Sequence, residues 1–117
     1  LLPYEKHIDA GCSVLLDTGW AKVYPKPEFF TDHPCITPEL AGWFADKGVG
    51  IVGMDMPSPA AEDWKSVHTV MLSKGTLIVE GLVNLGKLGS EPFTLFAIPM
   101  RLKQCDGSPI RAFAILD

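Results

Sequence analysis

The two residues of this sequence with the clearest capacity for chemistry are His68 and Glu80, which lie twelve positions apart. An imidazole nitrogen and a carboxylate oxygen are ligands that suit Zn²⁺ or Mn²⁺. Either residue could instead have an ordinary role, since a histidine early in a helix can pack or cap and a glutamate at a strand end is often solvated. Catalytic zinc needs three protein ligands, so His7, His33 and Asp55 are the candidates in this sequence for completing a site.

The segment between the two candidate ligands is predicted to fold back on itself. A short helix is predicted over residues 66–74, with Ser66 as its N-cap and Gly75 as its C-terminal stop, and a β-branched strand follows over residues 76–80. The seven helical residues from His68 to Lys74 span roughly 10 Å, and the five strand residues run back roughly 16 Å. We therefore expect the imidazole at the helix start and the carboxylate at the strand end to meet at one edge.

The rest of the chain is predicted to supply a sheet with helices around it. Two short apolar runs are typical of buried strands, and Thr-Pro-Glu at 37–39 is typical of a helix start. Together they predict a β-loop-α-β unit with a parallel pair of strands. The predicted segments are the strands 13–17 and 49–54, a Pro- and aromatic-rich loop 21–36, a helix from 37 to 47, a loop or 3-10 turn over 81–91, and an antiparallel hairpin of 93–102 with 110–116 joined by Asp106-Gly107. The predicted fold class is α/β, a mixed sheet with flanking helices and a C-terminal β-hairpin, in a single domain over residues 1–117.

Two further groups of residues could carry chemistry. Cys35 lies two positions after His33, but nearby loop residues rarely bring a thiol and an imidazole into contact, so a cysteine nucleophile is not favoured. The aromatic residues between Trp20 and Phe30 could wall a pocket for an aromatic substrate. They could equally form a secondary core or a subunit contact.

Composition and charge exclude several classes of function. The 117 residues are 47% hydrophobic, which suffices for one core, and carry a formal charge of −4 without a run of lysine or arginine. Binding to nucleic acid or to a membrane is therefore not expected, and no apolar stretch reaches the length of a membrane span. Three cysteines, an odd number without CxxC spacing, favour a reducing compartment, so a cytoplasmic location is predicted.

Four segments of the sequence form a combination that is more specific than any of them alone. They are Ser-Val-Leu-Leu-Asp-Thr-Gly-Trp at 13–20, Gly-Val-Gly-Ile-Val-Gly-Met-Asp-Met-Pro-Ser at 48–58, Val67-His68 with Glu80 twelve residues later, and Asp-Gly-Ser-Pro-Ile-Arg-Ala at 106–112. In this order they resemble the C-terminal part of the cyclase family, which includes bacterial kynurenine formamidase and isatin hydrolase. The resemblance implies a metal-dependent hydrolase of amides or cyclic acyl compounds with a swivelling β/α/β fold, usually as an oligomer.

The resemblance also implies roles for individual residues. His68 and Glu80 would be metal ligands, Trp20 resembles a tryptophan near the substrate pocket, and Asp55 and the turn at 106–111 resemble structural segments. The family's N-terminal motif, His-x-Gly-Thr-His-x-Asp followed by Pro-x-His, does not occur in this sequence. Those residues would supply most of the metal ligands and the catalytic histidine, so no catalytic residue is assigned here.

Two hypotheses about function follow. In the first, the chain is part of a hydrolase in which a divalent metal, Zn or Mn, activates water and polarises the acyl carbonyl of a small-molecule substrate such as an aromatic amide. In the second, a truncated cyclase-like scaffold without catalysis is an oligomeric binding or assembly module. The sequence starts at Leu1 without an initiator Met, so whether it is a whole gene product stays open. Both hypotheses predict a homo-oligomer, because a sheet without its N-terminal strands would expose edges and apolar surface.

Overall fold

The structure is a computed structural model that describes residues 2–116, apart from the side chain of residue 2. The chain divides into two compact units, Leu1–Leu85 and Gly86–Asp117. No helix within residues 2–116 is both long enough and apolar enough to cross a lipid bilayer. The 3-10 helices are Leu2–His7, Trp20–Val23 and Leu85–Lys87. The α-helices are Glu28–Thr31 (α1), Pro38–Asp46 (α2) and Trp64–Ser73 (α3). The strands are Ser13–Leu16 (β1), Ile51–Met54 (β2), Leu77–Val79 (β3), Phe93–Pro99 (β4) and Ile110–Leu116 (β5).

Three short parallel strands form the sheet of the first unit, in the order β1-β2-β3. Ser13 is aligned with Ile51 in the first pair, and Ile51 with Leu77 in the second. Because parallel neighbours must be joined by a crossover, the chain passes through α2 between β1 and β2 and through α3 between β2 and β3. The predicted parallel pair is confirmed, and the residues that follow all three strands lie at the same edge of the sheet.

The helix α2 begins and ends where its sequence predicts. The hydroxyl oxygen of Thr37 accepts a hydrogen bond from the backbone N–H of Leu40 at 3.2 Å, and Pro38 occupies the first helical position. Gly48 follows α2 with a φ of 71°, and Gly75 follows α3 with a φ of 85°. Glycine adopts this left-handed backbone without steric cost, so both predicted helix stops are confirmed.

The helix α3 begins at Trp64, so the predicted N-cap, Ser66, is wrong. The N–H of Val67 donates to the carbonyl oxygen of Asp63 at 3.2 Å, which places Ser66 inside the first turn. A serine caps a helix only when its own backbone lies outside the helix. As a consequence, His68 lies in the second turn of α3 instead of at its start.

The core of the first unit is built from β2, α2, α3 and the segments that flank them. The hydroxyl of Thr76, which is buried just before β3, donates to the carbonyl oxygen of Val49 at 2.8 Å and so joins the starts of two strands. The clustered buried apolar side chains are Ile8, Ile36, Ala41, Phe44, Val49, Val52, Met54, Met56, Ala60, Val67 and Met71.

Two segments predicted as loops contain some regular structure. The Pro- and aromatic-rich segment 21–36 includes most of one 3-10 helix and the single turn α1, so it is more ordered than predicted. Two further hydrogen bonds between residues three apart extend this helical structure: the N–H of Phe29 donates to the carbonyl oxygen of Lys26, and the N–H of Phe30 donates to that of Pro27. The segment 81–91 contains the 3-10 turn that was one of the two alternatives for it.

The second unit is an antiparallel hairpin of β4 and β5, as predicted. The strand β4 ends at Pro99, earlier than predicted, because the N–H of Leu102 turns back to the carbonyl oxygen of Met100 at 3.0 Å. The turn itself also differs from the prediction. Gln104 has a left-handed backbone with a φ of 59°, whereas Gly107 of the predicted Asp106-Gly107 turn does not have a positive φ.

Both faces of the hairpin carry large apolar side chains. Phe96 and Phe113 stack with centroids 4.8 Å apart on one face, which Ile98 and Ile115 share by the strand register. Both isoleucines are 51% exposed, and Leu116 on the other face is 54% exposed. Two strands alone are marginally stable and cannot cover apolar residues on both of their own faces.

Candidate metal and substrate site

The predicted meeting of His68 and Glu80 is confirmed by the structure. His68 projects from the second turn of α3, Glu80 directly follows β3, and the imidazole Nε2 lies 3.3 Å from Glu80 Oε1. The side chains are 26% and 38% exposed, respectively, so both are accessible from solvent. Their role as metal ligands stays a prediction.

The second ring nitrogen of His68 constrains the protonation of the first. His68 Nδ1 lies 2.7 Å from the backbone carbonyl oxygen of Trp64. A carbonyl oxygen can only accept a hydrogen bond, so Nδ1 carries a proton. In a neutral imidazole, Nε2 then presents its lone pair to the carboxylate of Glu80, and two acceptors at this distance repel each other. A proton on Nε2 or a cation between the two groups removes that repulsion.

The geometry of these two donors fits a divalent cation. Zn²⁺ binds imidazole nitrogen and carboxylate oxygen at about 2.0–2.2 Å in a tetrahedral arrangement, which puts adjacent donors roughly 3.3–3.6 Å apart. The Nε2–Oε1 distance of 3.3 Å lies at the lower end of that range. Within residues 2–116, no three or more His, Cys, Asp or Glu side chains are grouped so that they could share an ion. The pair would therefore be part of a ligand set.

The other candidate ligands do not join the pair. His33 is buried, and its Nδ1 lies 2.9 Å from a backbone carbonyl oxygen. His7 is exposed at the end of the first 3-10 helix, and the buried Asp55 binds donors of the segment 18–21. The thiol of Cys35 donates to the backbone carbonyl oxygen of His33 at 3.5 Å, and the expectation against a cysteine nucleophile stays a prediction.

Trp20, the candidate substrate contact, is half-buried against the core of the first unit. Its indole N–H donates to the carbonyl oxygen of Phe29 at 3.0 Å, which orients the ring. Phe29 is buried and makes edge contacts with Tyr24 and Phe30, at centroid distances of 5.5 and 5.0 Å, and these two rings are mostly exposed. The aromatic residues therefore do cluster, with one side packed and one side open. A role for Trp20 in binding substrate stays a prediction.

Asp55 holds the turn that carries Trp20. Its Oδ1 accepts hydrogen bonds from the N–H and the hydroxyl of Thr18 at 3.1 and 2.6 Å, and its Oδ2 accepts one from the N–H of Ala21 at 3.3 Å. The hydroxyl oxygen of Thr18 in turn accepts from the N–H of Trp20 at 3.3 Å. The structural role implied for Asp55 is consistent with these bonds, which join it to the turn after β1.

The pKa of Asp55 lies below its ordinary value of 3.8. Burial is the largest single effect and raises the pKa. Hydrogen bonds from the Thr18 hydroxyl and from the backbone N–H groups of Thr18, Ala21 and Trp20 lower it, and together they outweigh burial. The carboxylate is therefore ionised at neutral pH, and its charge stabilises the turn.

A family model with the description "Putative cyclase" matches residues 2–61, just over half of the chain. The chain belongs to the cyclase family. Among the relatives of this cyclase-family chain is the kynurenine formamidase of Bordetella petrii, which is 34% identical over 83 residues. That match covers 69% of this chain and 39% of the relative. The resemblance carried by the four sequence segments is confirmed.

Solved structures share the cyclase fold of this chain. An isatin hydrolase bound to the product analogue thioisatinate matches with a TM-score of 0.84 at 23% identity, over 98% of this chain and 50% of that one. A "potential metal-dependent hydrolase with cyclase activity" matches with a TM-score of 0.69 at 26% identity, over 92% of this chain and 53% of that one. The cyclase-family chain thus spans about half the length of these relatives, and its predicted fold class is confirmed.

Sequence reasoning about this cyclase-family chain missed two residues that the structure places around the candidate site. Trp64 binds His68 through its backbone carbonyl, and Thr18 donates two hydrogen bonds to Asp55. The spacing of four between Trp64 and His68 would have indicated the first contact if the helix had been predicted to start earlier. The contact between Thr18 and Asp55 could be predicted only from the strand register, which places the residues after β1 beside those after β2.

Proposed function

We propose that this cyclase-family chain contributes metal ligands to a hydrolase that cleaves C–N bonds in aromatic amides or related cyclic acyl compounds. The observation that carries the proposal is the His68–Glu80 pair, with Nε2 and Oε1 3.3 Å apart and a proton held on the other ring nitrogen. Relatives that include a kynurenine formamidase and a potential metal-dependent hydrolase support it. We assign the ion as Zn or Mn, because imidazole nitrogen with carboxylate oxygen suits both.

Each residue of the proposed site has a separate task. His68 would hold the ion through Nε2, and the hydrogen bond from Nδ1 to the Trp64 carbonyl keeps the ring in the tautomer that allows this. Glu80 would hold it through its carboxylate and offset part of the positive charge. When bound, the ion would supply an activated water and a polarised acyl carbonyl. Trp20 would contact the apolar part of the substrate, from a turn that Asp55 keeps in place.

Hydrolysis assays test this function. The chain alone, and the chain mixed with a polypeptide that carries the family's N-terminal motif, would be incubated with formanilide or with isatin and Zn²⁺ or Mn²⁺. We expect metal-dependent hydrolysis that requires both polypeptides and falls at least roughly 100-fold with Glu80→Gln, because even residues behind the ligands affect such sites by about 10- to 100-fold. The control His7→Ala should retain activity. Absence of hydrolysis under all these conditions would contradict an enzymatic function.

The proposed partners are a small-molecule substrate and further copies of the chain. Nucleic acid is not proposed, because the formal charge is −4 and lysine and arginine do not cluster. We propose a cytoplasmic location from the odd number of cysteines; Cys12, Cys35 and Cys105 are all free thiols.

A second candidate function, an oligomeric assembly module without catalysis, is favoured by the hairpin of the second unit. Apolar side chains on both of its faces are about half exposed, among them Ile98, Ile115 and Leu116. A surface patch of this kind on a two-stranded hairpin is typical of a protein interface. We propose that a second copy of the chain covers it.

Changing one of these exposed residues tests the assembly. We expect the chain to elute as a dimer or larger species, and Ile115→Lys to weaken the association at least about 10-fold, because a buried charge without a partner is unfavourable. Light scattering after size-exclusion chromatography over a range of concentrations measures this. Leu77→Lys, at a residue that is 57% exposed in the first unit, is the matched control and should leave the mass unchanged. A monomer at all concentrations would rule out the assembly module.

A further inference from the structure

We propose that Trp64 is a specificity-determining residue of the same site, and that its exposed indole forms a wall against which a planar aromatic part of the substrate stacks. The inference rests on the proposed function, since it assumes that substrate binds beside His68 and Glu80. It assigns a preference for aromatic over saturated substrates to one side chain of this chain.

The position of Trp64 places its ring beside the candidate ligands. Trp64 is the first residue of α3 and lies one helical turn before His68. The two rings meet edge to face, with centroids 5.9 Å apart and an interplanar angle of 80°. Because His68 Nε2 faces Glu80, a molecule that reaches this pair from solvent also comes close to the indole.

The Trp64 side chain has no evident structural task in the part of the chain that the structure describes. Trp64 is 54% exposed and is not a member of the core cluster. Its indole N–H makes no hydrogen bond within residues 2–116, unlike that of Trp20, which is bound to Phe29. A large aromatic ring left in water at this position is therefore available for a ligand.

The backbone and the side chain of Trp64 act separately on the site. The backbone carbonyl oxygen orients His68 by accepting from Nδ1 at 2.7 Å, and any residue at position 64 can supply that carbonyl. Substitution of the side chain therefore keeps the hydrogen bond that orients His68. A change in ligand preference after such a substitution can be attributed to the indole itself.

A matched pair of probes tests the inference on the chain mixed with the polypeptide that carries the family's N-terminal motif and loaded with Zn²⁺. Formanilide and N-cyclohexylformamide share the formamide group and ring size, but only formanilide is planar and aromatic. By ligand-observed NMR, we expect Trp64→Leu to raise the Kd of formanilide about 2- to 10-fold and that of the cyclohexyl analogue less than about 2-fold. Trp64→Phe retains a ring and should keep the preference of the wild type. Leu77→Ala is the control for loss of an exposed apolar side chain.

The outcomes separate this inference from the proposed function. The inference would be overturned if Trp64→Leu weakened the affinity for both probes equally, or if neither probe bound to the wild type. In either case the indole would not select an aromatic ligand. If the chain retains Zn²⁺ in those cases, the metal site stands and only the role of Trp64 fails. If the wild-type chain binds no Zn²⁺ even when mixed with that polypeptide, the proposed function fails as well.

Discussion

His68→Ala will lower the affinity of this chain for Zn²⁺ at least roughly 100-fold. The imidazole supplies one of the two donors that lie 3.3 Å apart in the described part of the chain, and alanine leaves the Glu80 carboxylate without its neighbour. Loss of a group that only orients a metal ligand costs about 10- to 100-fold in affinity, so loss of a ligand should cost at least the upper end of that range. Glu80→Gln should weaken binding in the same direction, because an amide is a poorer ligand than a carboxylate.

Metal content and competition titration measure this effect. The purified chain would be dialysed against trace Zn²⁺ or Mn²⁺, analysed for bound metal, and titrated against a chelator of known affinity. His7→Ala removes an exposed histidine far from the pair in sequence and should bind metal as the wild type does. Circular dichroism should show an unchanged fold in all variants. Unchanged metal content in His68→Ala would show that the assignment of His68 is wrong.

Asp55→Asn will destabilise the first unit by about 2–3 kcal/mol at pH 7. The carboxylate accepts three hydrogen bonds from Thr18 and Ala21, and bonds to a charged group contribute about 1.5–3 kcal/mol each. An asparagine can keep the bonds to Thr18 through its oxygen, but its amide N–H groups would face the N–H of Ala21. Urea unfolding at equilibrium measures the loss. Asp46→Asn is the matched control; its ion pair with Lys74 is exposed to solvent, so the change should affect stability by less than about 0.5 kcal/mol.

The loss caused by Asp55→Asn should depend on pH. Because the folded-state pKa of Asp55 lies below its ordinary value of 3.8, its ionised form stabilises the folded state at pH values above that ordinary value, which applies to the unfolded chain. That contribution disappears as the pH falls through the folded-state pKa. The difference in unfolding free energy between wild type and variant should therefore be constant from about pH 7 to pH 5 and should shrink below about pH 4. A difference that stays constant at acidic pH would contradict this origin.

Local patterns in the sequence predicted the elements that depend on short-range physics. Thr37 caps α2, and Gly75 ends α3, because a hydroxyl acceptor and a left-handed glycine act within a few residues of their own position. The same reasoning predicted that His68 and Glu80 would meet, since the strand after a short helix runs back in the opposite direction beside that helix. It failed at Ser66, where the preference for an N-cap was overridden by a helix that starts earlier.

Contacts across the sheet could not be predicted in this way. Asp55 and Thr18 are 37 residues apart, and their bonds depend on β1 and β2 being parallel neighbours in one register. A carboxylate after a strand has several plausible partners until that register is known. For the same reason, the sequence did not indicate which of His7 and His33 would lie near the metal-ligand candidates, and neither does within the described residues.

By itself, the sequence determined the α/β class, the order of strands and helices, the family, and the pairing of His68 with Glu80, because these follow from local periodicity, helix ends and combined motifs. Only the tertiary structure decided how the pair is held. It showed that His68 Nδ1 donates a hydrogen bond to the Trp64 carbonyl oxygen and therefore carries a proton. It also showed that the Trp64 indole is exposed beside the pair. Those features depend on where the helix starts and on how side chains pack in three dimensions, which no single segment of sequence specifies.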